Sequence, residues 1–162
     1  MPSDDQPAGV PLVGTPAPDF TLPNERGEMV HLADLQGKQV VLYFYPKDDT
    51  PGCTVEACGF RDSWHLMSER GIVVLGVSRD SVKSHQKFAN KYALPFTLLA
   101  DEGGEVARQY GVWVEKSMYG KRYMSTARTT IYIRPDGRVG HVWEQVKPEG
   151  HAQKVLDYLE KN

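Results

Sequence analysis

The chain of 162 residues has no long hydrophobic run. Its longest apolar stretches, Val40 to Tyr45 and Ile72 to Val77, fall far short of the roughly 20 residues a helix needs to span a bilayer, so no membrane partner is expected. An excess of either charge is also missing. The 19 Lys+Arg and 21 Asp+Glu residues leave a net charge of −2, with no basic footprint for nucleic acid and no strongly acidic tail. The first residues hold neither the basic stretch and apolar segment of a signal peptide nor the Arg- and Ser-rich pattern of a transit peptide, which makes the cytoplasm the expected compartment. Internal repeats and low-complexity linkers are absent. Cysteine is scarce, with Cys53 and Cys58 alone. Two cysteines cannot staple a chain of this size, and a reducing cytosol argues against a static bridge. They are inert core thiols, part of a metal site, or redox groups. The histidines, at positions 31, 65, 85, 141 and 151, do not gather with them into the four-ligand set of a structural zinc site. No metal or organic cofactor is expected.

The composition present, 40% hydrophobic and 25% charged, is that of a soluble globular protein with one core. A flexible tail is expected over residues 1–9, rich in Pro, Asp and Gly, and a single domain over 10–162. Residues 19–22 and 29–32 read as a β-hairpin turning at Arg26-Gly27. Val40 to Tyr45 and Ile72 to Ser78 read as strands buried on both faces. Phe96 to Leu99 reads as a short strand, and 129–133 with 139–143 as a hairpin through Arg134-Pro135-Asp136-Gly137. Helices are expected over Cys53 to Arg70, Ser81 to Tyr92, Glu102 to Tyr110 and Pro148 to Glu160. The alternation predicts an α/β domain with helices on a central sheet. Tyr43 and Tyr45 read as packed on a sheet face, Trp64 and Trp143 as core, and Lys47-Asp48-Asp49 as a solvated loop.

On a helix of about 100° per residue with Cys53 at zero, Ala57, Phe60, Trp64 and Met67 fall within about 40° of it as one apolar stripe. Cys58 falls at about +140°, beside His65 and Asp62 on the polar side. One thiol therefore faces the protein and the other faces outward or lies under a thin cover. Five residues of helix separate Cα atoms by roughly 8.7 Å, whereas a disulfide needs about 4.4–6.8 Å. The pair cannot bridge while this helix is intact. Cys53 follows a Pro-Gly turn at a helix start, where unpaired N–H groups and the positive dipole end favour a thiolate. The alternative is that Cys53 is a small buried core residue.

Tyr45-Pro46-Lys47-Asp48-Asp49-Thr50-Pro51-Gly52-Cys53-Thr54 resembles the active-site signature of peroxiredoxins, Pro-x3-Thr-x2-Cys. With Glu56-Ala57-Cys58 it looks like the Q-type branch, also called bacterioferritin comigratory protein. Gly14-x-x-Ala17-Pro18-Asp19-Phe20, Val74 to Ser81, Leu94-Pro95-Phe96 through Asp101, Met118-Tyr119-Gly120-Lys121 and Arg128-Thr129-Thr130 extend the resemblance along nearly all of the chain. Ser125-Thr126-Ala127 and Arg134 depart from the usual pattern and leave Arg128 in register.

The resemblance implies a thioredoxin-like fold and a thiol peroxidase. It makes Cys53 the peroxidatic cysteine, Thr50, Pro46 and Arg128 its helpers, and Cys58 the resolving cysteine. Cys53 would become a sulfenic acid and then an intramolecular disulfide with Cys58, after local unwinding of the helix. Thioredoxin is the implied reductant, with a glutaredoxin as the alternative, docking over Val55, Cys58, Asp62 and His65. The implied substrates are hydrogen peroxide and organic hydroperoxides, and a monomer is expected. Two competing functions are a general thiol–disulfide oxidoreductase, which typically uses Cys-x-x-Cys, and a redox-sensing or chaperone-like binding module.

Overall fold

β-Branched runs and amphipathic stretches sort the chain into one central sheet with cover on both faces. The computed structural model describes residues 9–161. Apart from Gly9, the tail expected over residues 1–9 lies outside them, and Asn162 does too. The order is β1 (Thr21–Pro23), β2 (Met29–His31), β3 (Gln39–Phe44), α1 (Pro51–Glu69), β4 (Ile72–Ser78), α2 (Val82–Tyr92), β5 (Thr97–Ala100), α3 (Glu105–Gln109), β6 (Trp113–Met118), β7 (Lys121–Thr126), β8 (Thr129–Ile133), β9 (Val139–Trp143) and α4 (His151–Lys161). No helix among the described residues is long and apolar enough to cross a membrane.

The central sheet has the order β5-β4-β3-β8-β9. β3 pairs in parallel with β4, and β4 with β5, while β8 runs antiparallel to both β3 and β9. Alternation along β3 divides the core into two layers. Val41, Tyr43 and Tyr45 share one layer with residues of α1, α2 and α4, among them Phe60, Phe88 and Val155. Val40, Leu42 and Phe44 share the other with α3 and with Phe20, Leu22 and Leu32 around the β1–β2 hairpin. This is the mixed sheet flanked by helices, with an N-terminal hairpin, that the alternation predicts.

Beyond the starts of α3 and α4, each three residues later than expected, three local readings need correction. α1 begins at Pro51 rather than Cys53, with Thr50 as its N-cap. A proline at the first helical position loses no hydrogen bond and brings a helical φ. The stretch 113–126 forms a hairpin, β6 with β7, that the sequence pattern did not suggest. Most of its residues are at least partly exposed, so the apolar/polar alternation is faint. Its one local signal is Tyr119-Gly120, both at positive φ (54° and 79°), as a two-residue hairpin turn requires. Lastly, Asp48 is not solvated. It is 7% exposed and sits in a hydrogen-bond cluster.

The face toward α1 is tightly filled at Tyr43. Its ring stacks on Phe60 at 4.6 Å and on Tyr45 at 5.4 Å. A Cβ added at Gly76 would lie 2.9 Å from Tyr43 Cζ, Tyr43 Oη and Leu98 Cδ2. Gly76→Ala is therefore expected to cost about 1–3 kcal/mol through overpacking, measured as a lower urea midpoint. An unchanged midpoint would show that the Tyr43 ring has room to move.

Candidate active site

The register of β8 on β3 builds the site. Phe44 pairs with Thr129, so Arg128 comes just past the end of β3, where Tyr45 and Pro46 lead into α1. The backbone carbonyl of Arg128 accepts from Val146 N–H at 3.0 Å, tying it to the segment after β9. Its side chain then reaches the first turns of α1. Nη2 donates to Cys53 Sγ at 3.4 Å and Nη1 donates to Glu56 Oε1 at 2.8 Å. Gly52 leaves room for this approach. A Cβ there would be 3.1 Å from Arg128 Nη2 and 3.3 Å from Pro148 Cγ.

Cys53 is 1% exposed and lies on the α1 stripe with Ala57, Phe60 and Met67, all buried, while Trp64 is half-buried. It is the third residue of α1. Gly52 and Cys53 N–H groups have no carbonyl one turn back and face the helix start. Thr50 is half-buried, and its hydroxyl donates to Lys47 O at 2.8 Å rather than capping the helix. Its oxygen lone pairs remain available as acceptors. Pro46 and Arg128 line one cleft of about 490 Å³ with Val10, Val114, Ala127 and Thr129. Cys58 is half-buried on the same unbroken helix, and both thiols are free. Val55, Asp62 and His65 are exposed on the outer surface of that helix.

The structure thus brings Arg128 onto Cys53 and places Thr50 and Pro46 on the adjoining loop, with Cys58 further along α1. It also adds a residue the sequence reading passed over. Glu56 is 1% exposed. Its signal was present on the helical wheel, at about −60° and so beside the apolar stripe. Burial pushes its carboxyl up to about 7, against the pull of Arg128. Burial also works against the charge on Arg128, yet Glu56 and Cys53 hold that guanidinium above its ordinary value. Glu56 Oε2 and the Tyr43 hydroxyl are buried without a hydrogen-bond partner.

His151 lies behind α1, edge-on to Phe60, with Nε2 2.7 Å from Thr130 Oγ1. Burial, helped by Lys154 and Arg128, pushes it down to about 4, so it stays neutral near neutral pH. Among the described residues, one group has donor atoms close enough for a metal ion: Asp48, Asp80 and His85, within 4.8 Å of one another. None of these is a cysteine.

Residues 13–142 match the AhpC/TSA family. The chain is 57% identical over 147 residues to a putative peroxiredoxin Bcp of Coxiella burnetii, covering 91% of this chain and 97% of that one. It is 46% identical over 149 residues to the peroxiredoxin Bcp of Escherichia coli, covering 92% and 96%. A cysteine-to-serine variant of Xylella fastidiosa PrxQ superposes with a TM-score of 0.88 at 35% identity, over 93% of this chain and 96% of that one. The Xanthomonas campestris bacterioferritin comigratory protein, solved as trapped intermediate and ligand complexes bearing on its alkyl peroxide reduction, gives 0.84 at 39%, over 88% and 90%. These neighbours share the thioredoxin-like peroxiredoxin fold.

The raised carboxyl of Glu56 sets a pH dependence of stability. Its value is 4.5 when free and about 7 in the fold, so the folded protein holds this proton where the unfolded chain has lost it. The contribution is fully present below 4.5 and is lost as pH rises through about 7. Relative to the parent, Glu56→Gln should gain stability between about pH 5 and about pH 8, by roughly 2–3 kcal/mol. Urea denaturation across that range reads the difference. A difference that stays flat would contradict a buried, proton-holding carboxyl.

Proposed function

The chain belongs to the AhpC/TSA family, among the Bcp and PrxQ peroxiredoxins, and we propose that it reduces hydrogen peroxide and organic hydroperoxides through Cys53. The carrying observation is the Arg128 guanidinium, which touches Cys53 Sγ with one nitrogen and Glu56 with another. A fixed positive charge beside the sulfur supports its anionic, nucleophilic form. Alkyl peroxide reduction, ascribed to the Xanthomonas campestris relative, suits the partly apolar cleft beside Pro46 and Arg128.

In the first step the Cys53 thiolate attacks one peroxide oxygen. A sulfur–oxygen bond forms and the oxygen–oxygen bond breaks. The departing oxygen carries the electron pair away and takes a proton, giving water or an alcohol, while Cys53 is left as a sulfenic acid. Negative charge builds on the leaving oxygen, and Arg128 with the Gly52 and Cys53 N–H groups are the donors that stabilise it. Thr50 orients the peroxide by accepting its hydrogen, and Pro46 limits access by water.

Cys58 then attacks the Cys53 sulfur, expelling water and leaving a disulfide. About 8.7 Å of helix separates the two Cα atoms, so the turns from Cys53 to Cys58 unwind for this step. Thioredoxin returns both sulfurs to thiols by two successive exchanges. It docks on the face of Val55, Cys58, Asp62 and His65, where Val55 is a large apolar side chain exposed at 43%. The proposal places the chain in the cytoplasm as a monomer that defends against oxidants.

The test is oxidation of NADPH coupled through thioredoxin reductase and thioredoxin to peroxide. Cys53→Ser is expected to be inert, and Cys58→Ser to reduce one equivalent and stop. Replacing Val55 or Asp62 is expected to raise KM for thioredoxin severalfold while the peroxide step keeps its rate. An active Cys53→Ser would sink the assignment, and equal losses in both half-reactions would sink the docking face.

A further inference from the structure

The loop from Pro46 to Thr50 carries two of the groups assigned to the peroxide, and its fixing comes from α2. Asp48 Oδ1 accepts from the Tyr45 hydroxyl at 2.6 Å. Its Oδ2 accepts from the Ser84 hydroxyl at 2.8 Å and lies 2.7 Å from His85 Nδ1. His85 is fully buried, and its Nε2 lies 2.9 Å from Leu99 O. A carbonyl only accepts, so Nε2 donates to it. The second contact, between Nδ1 and Asp48 Oδ2, shares a single hydrogen.

The loop backbone is held as well. Asp48 N–H donates to Asp80 Oδ2 at 2.8 Å, and that same oxygen takes the Ser78 hydroxyl at 2.6 Å. The next residue, Asp49, is left-handed at φ 56°. Its carboxylate accepts from Lys91 Nζ and Tyr92 Oη, both at 2.8 Å. Thus α2 grips two consecutive loop residues, one buried and one exposed. Thr50 is bonded within this loop, to Lys47 O, so its position follows that of Asp48.

The spacing of Asp48, Asp80 and His85 suits a cation, but the hydrogen bonds say otherwise. Asp48 already has three side-chain hydrogen-bond partners, and both nitrogens of His85 are engaged. The cluster is a strut between α2 and the loop.

We propose that His85 is a positioning residue for peroxide reduction: bonded to Asp48, it fixes the loop that sets Pro46 and Thr50 beside Cys53. This rests on the peroxidase reading above. His85 touches none of the reacting atoms and acts through Asp48, with the Tyr45 hydroxyl 3.4 Å from the same Nδ1.

Two substitutions separate this role from packing. His85→Asn keeps a donor near the Nδ1 position, toward Asp48, and loses the contact with Leu99 O. His85→Gln keeps a donor near Nε2 and loses the one toward Asp48. Both are made in a Cys58→Ser background, so that Cys53 is the only reacting thiol. Two rates are measured: stopped-flow consumption of one equivalent of hydrogen peroxide, and alkylation of Cys53 by iodoacetamide, which does not use the peroxide cradle. For His85→Gln the peroxide rate is expected to fall by about tenfold to a hundredfold, as small misplacements of catalytic groups do, with alkylation nearly unchanged. For His85→Asn both rates are expected to stay close to the parent. Equal losses in the two variants, or a parental peroxide rate in His85→Gln, would overturn the assignment. So would a fall of both rates together in His85→Gln. A parent that consumes no peroxide overturns the peroxidase reading instead.

Discussion

One guanidinium ties the candidate site together. Arg128 reaches Cys53 Sγ and Glu56 Oε1 at once, and these residues lie three apart on α1, the spacing that puts side chains on one helical face. Everything needed for that contact is set elsewhere. The pairing of Phe44 with Thr129 puts Arg128 at the end of β3, and a slip of one residue would turn it to the opposite face of the sheet. Gly52 leaves space over the first turn of α1. The ladder, the turn and the loop all serve to bring one charge to one sulfur.

The two ends of α1 are held unequally, and that difference suits the partial unwinding proposed for it. From Phe60 onward the helix is anchored by packing: Phe60 stacks on Tyr43 and meets Phe96 and His151 edge-on. Gly59 lies close against Ala152 of α4, where an added Cβ would be 3.5 Å away. Before that point Cys53 and Ala57 still pack into the core, but the helix start is less secure. Thr50 gives no side-chain cap and the first turn holds no acidic residue. Glu56 is buried with one oxygen unpartnered. Costly burial at one end and dense packing at the other put the proposed unwinding in the first turns.

Much of this was legible in the sequence. The apolar run over residues 40–45 specified the central strand, and the wheel over 53–70 separated an inward Cys53 from an outer Cys58. Pro46, Thr50 and Arg128 came from a motif rather than from periodicity. What stayed hidden was polar and long-range. Glu56 reads as a surface residue by type, and only Arg128, distant in sequence, makes its burial tolerable. Asp48 looks like a loop aspartate until Tyr45, Ser84 and His85 converge on it. The β6–β7 hairpin escaped because a mostly exposed ribbon has no apolar face to write into its pattern; Tyr119 at its turn is 97% exposed.

In the proposed cycle, oxidation itself would weaken the contact between Arg128 and Cys53. While Cys53 is a thiolate, the contact from the Arg128 guanidinium to its sulfur joins two opposite full charges. Hydrogen bonds of that kind are roughly twice as strong as neutral ones. A sulfenic acid is uncharged, so in the proposed cycle the contact to Cys53 would lose the attraction of opposite charges and keep only the charge of its donor, while the contact to Glu56 persists. On that reading the hold on the first turn would drop at the step in which the sulfur is proposed to meet Cys58, and reduction would restore it. The chemistry and the conformational step are then linked through one side chain, with no second sensor of the sulfur's oxidation state required.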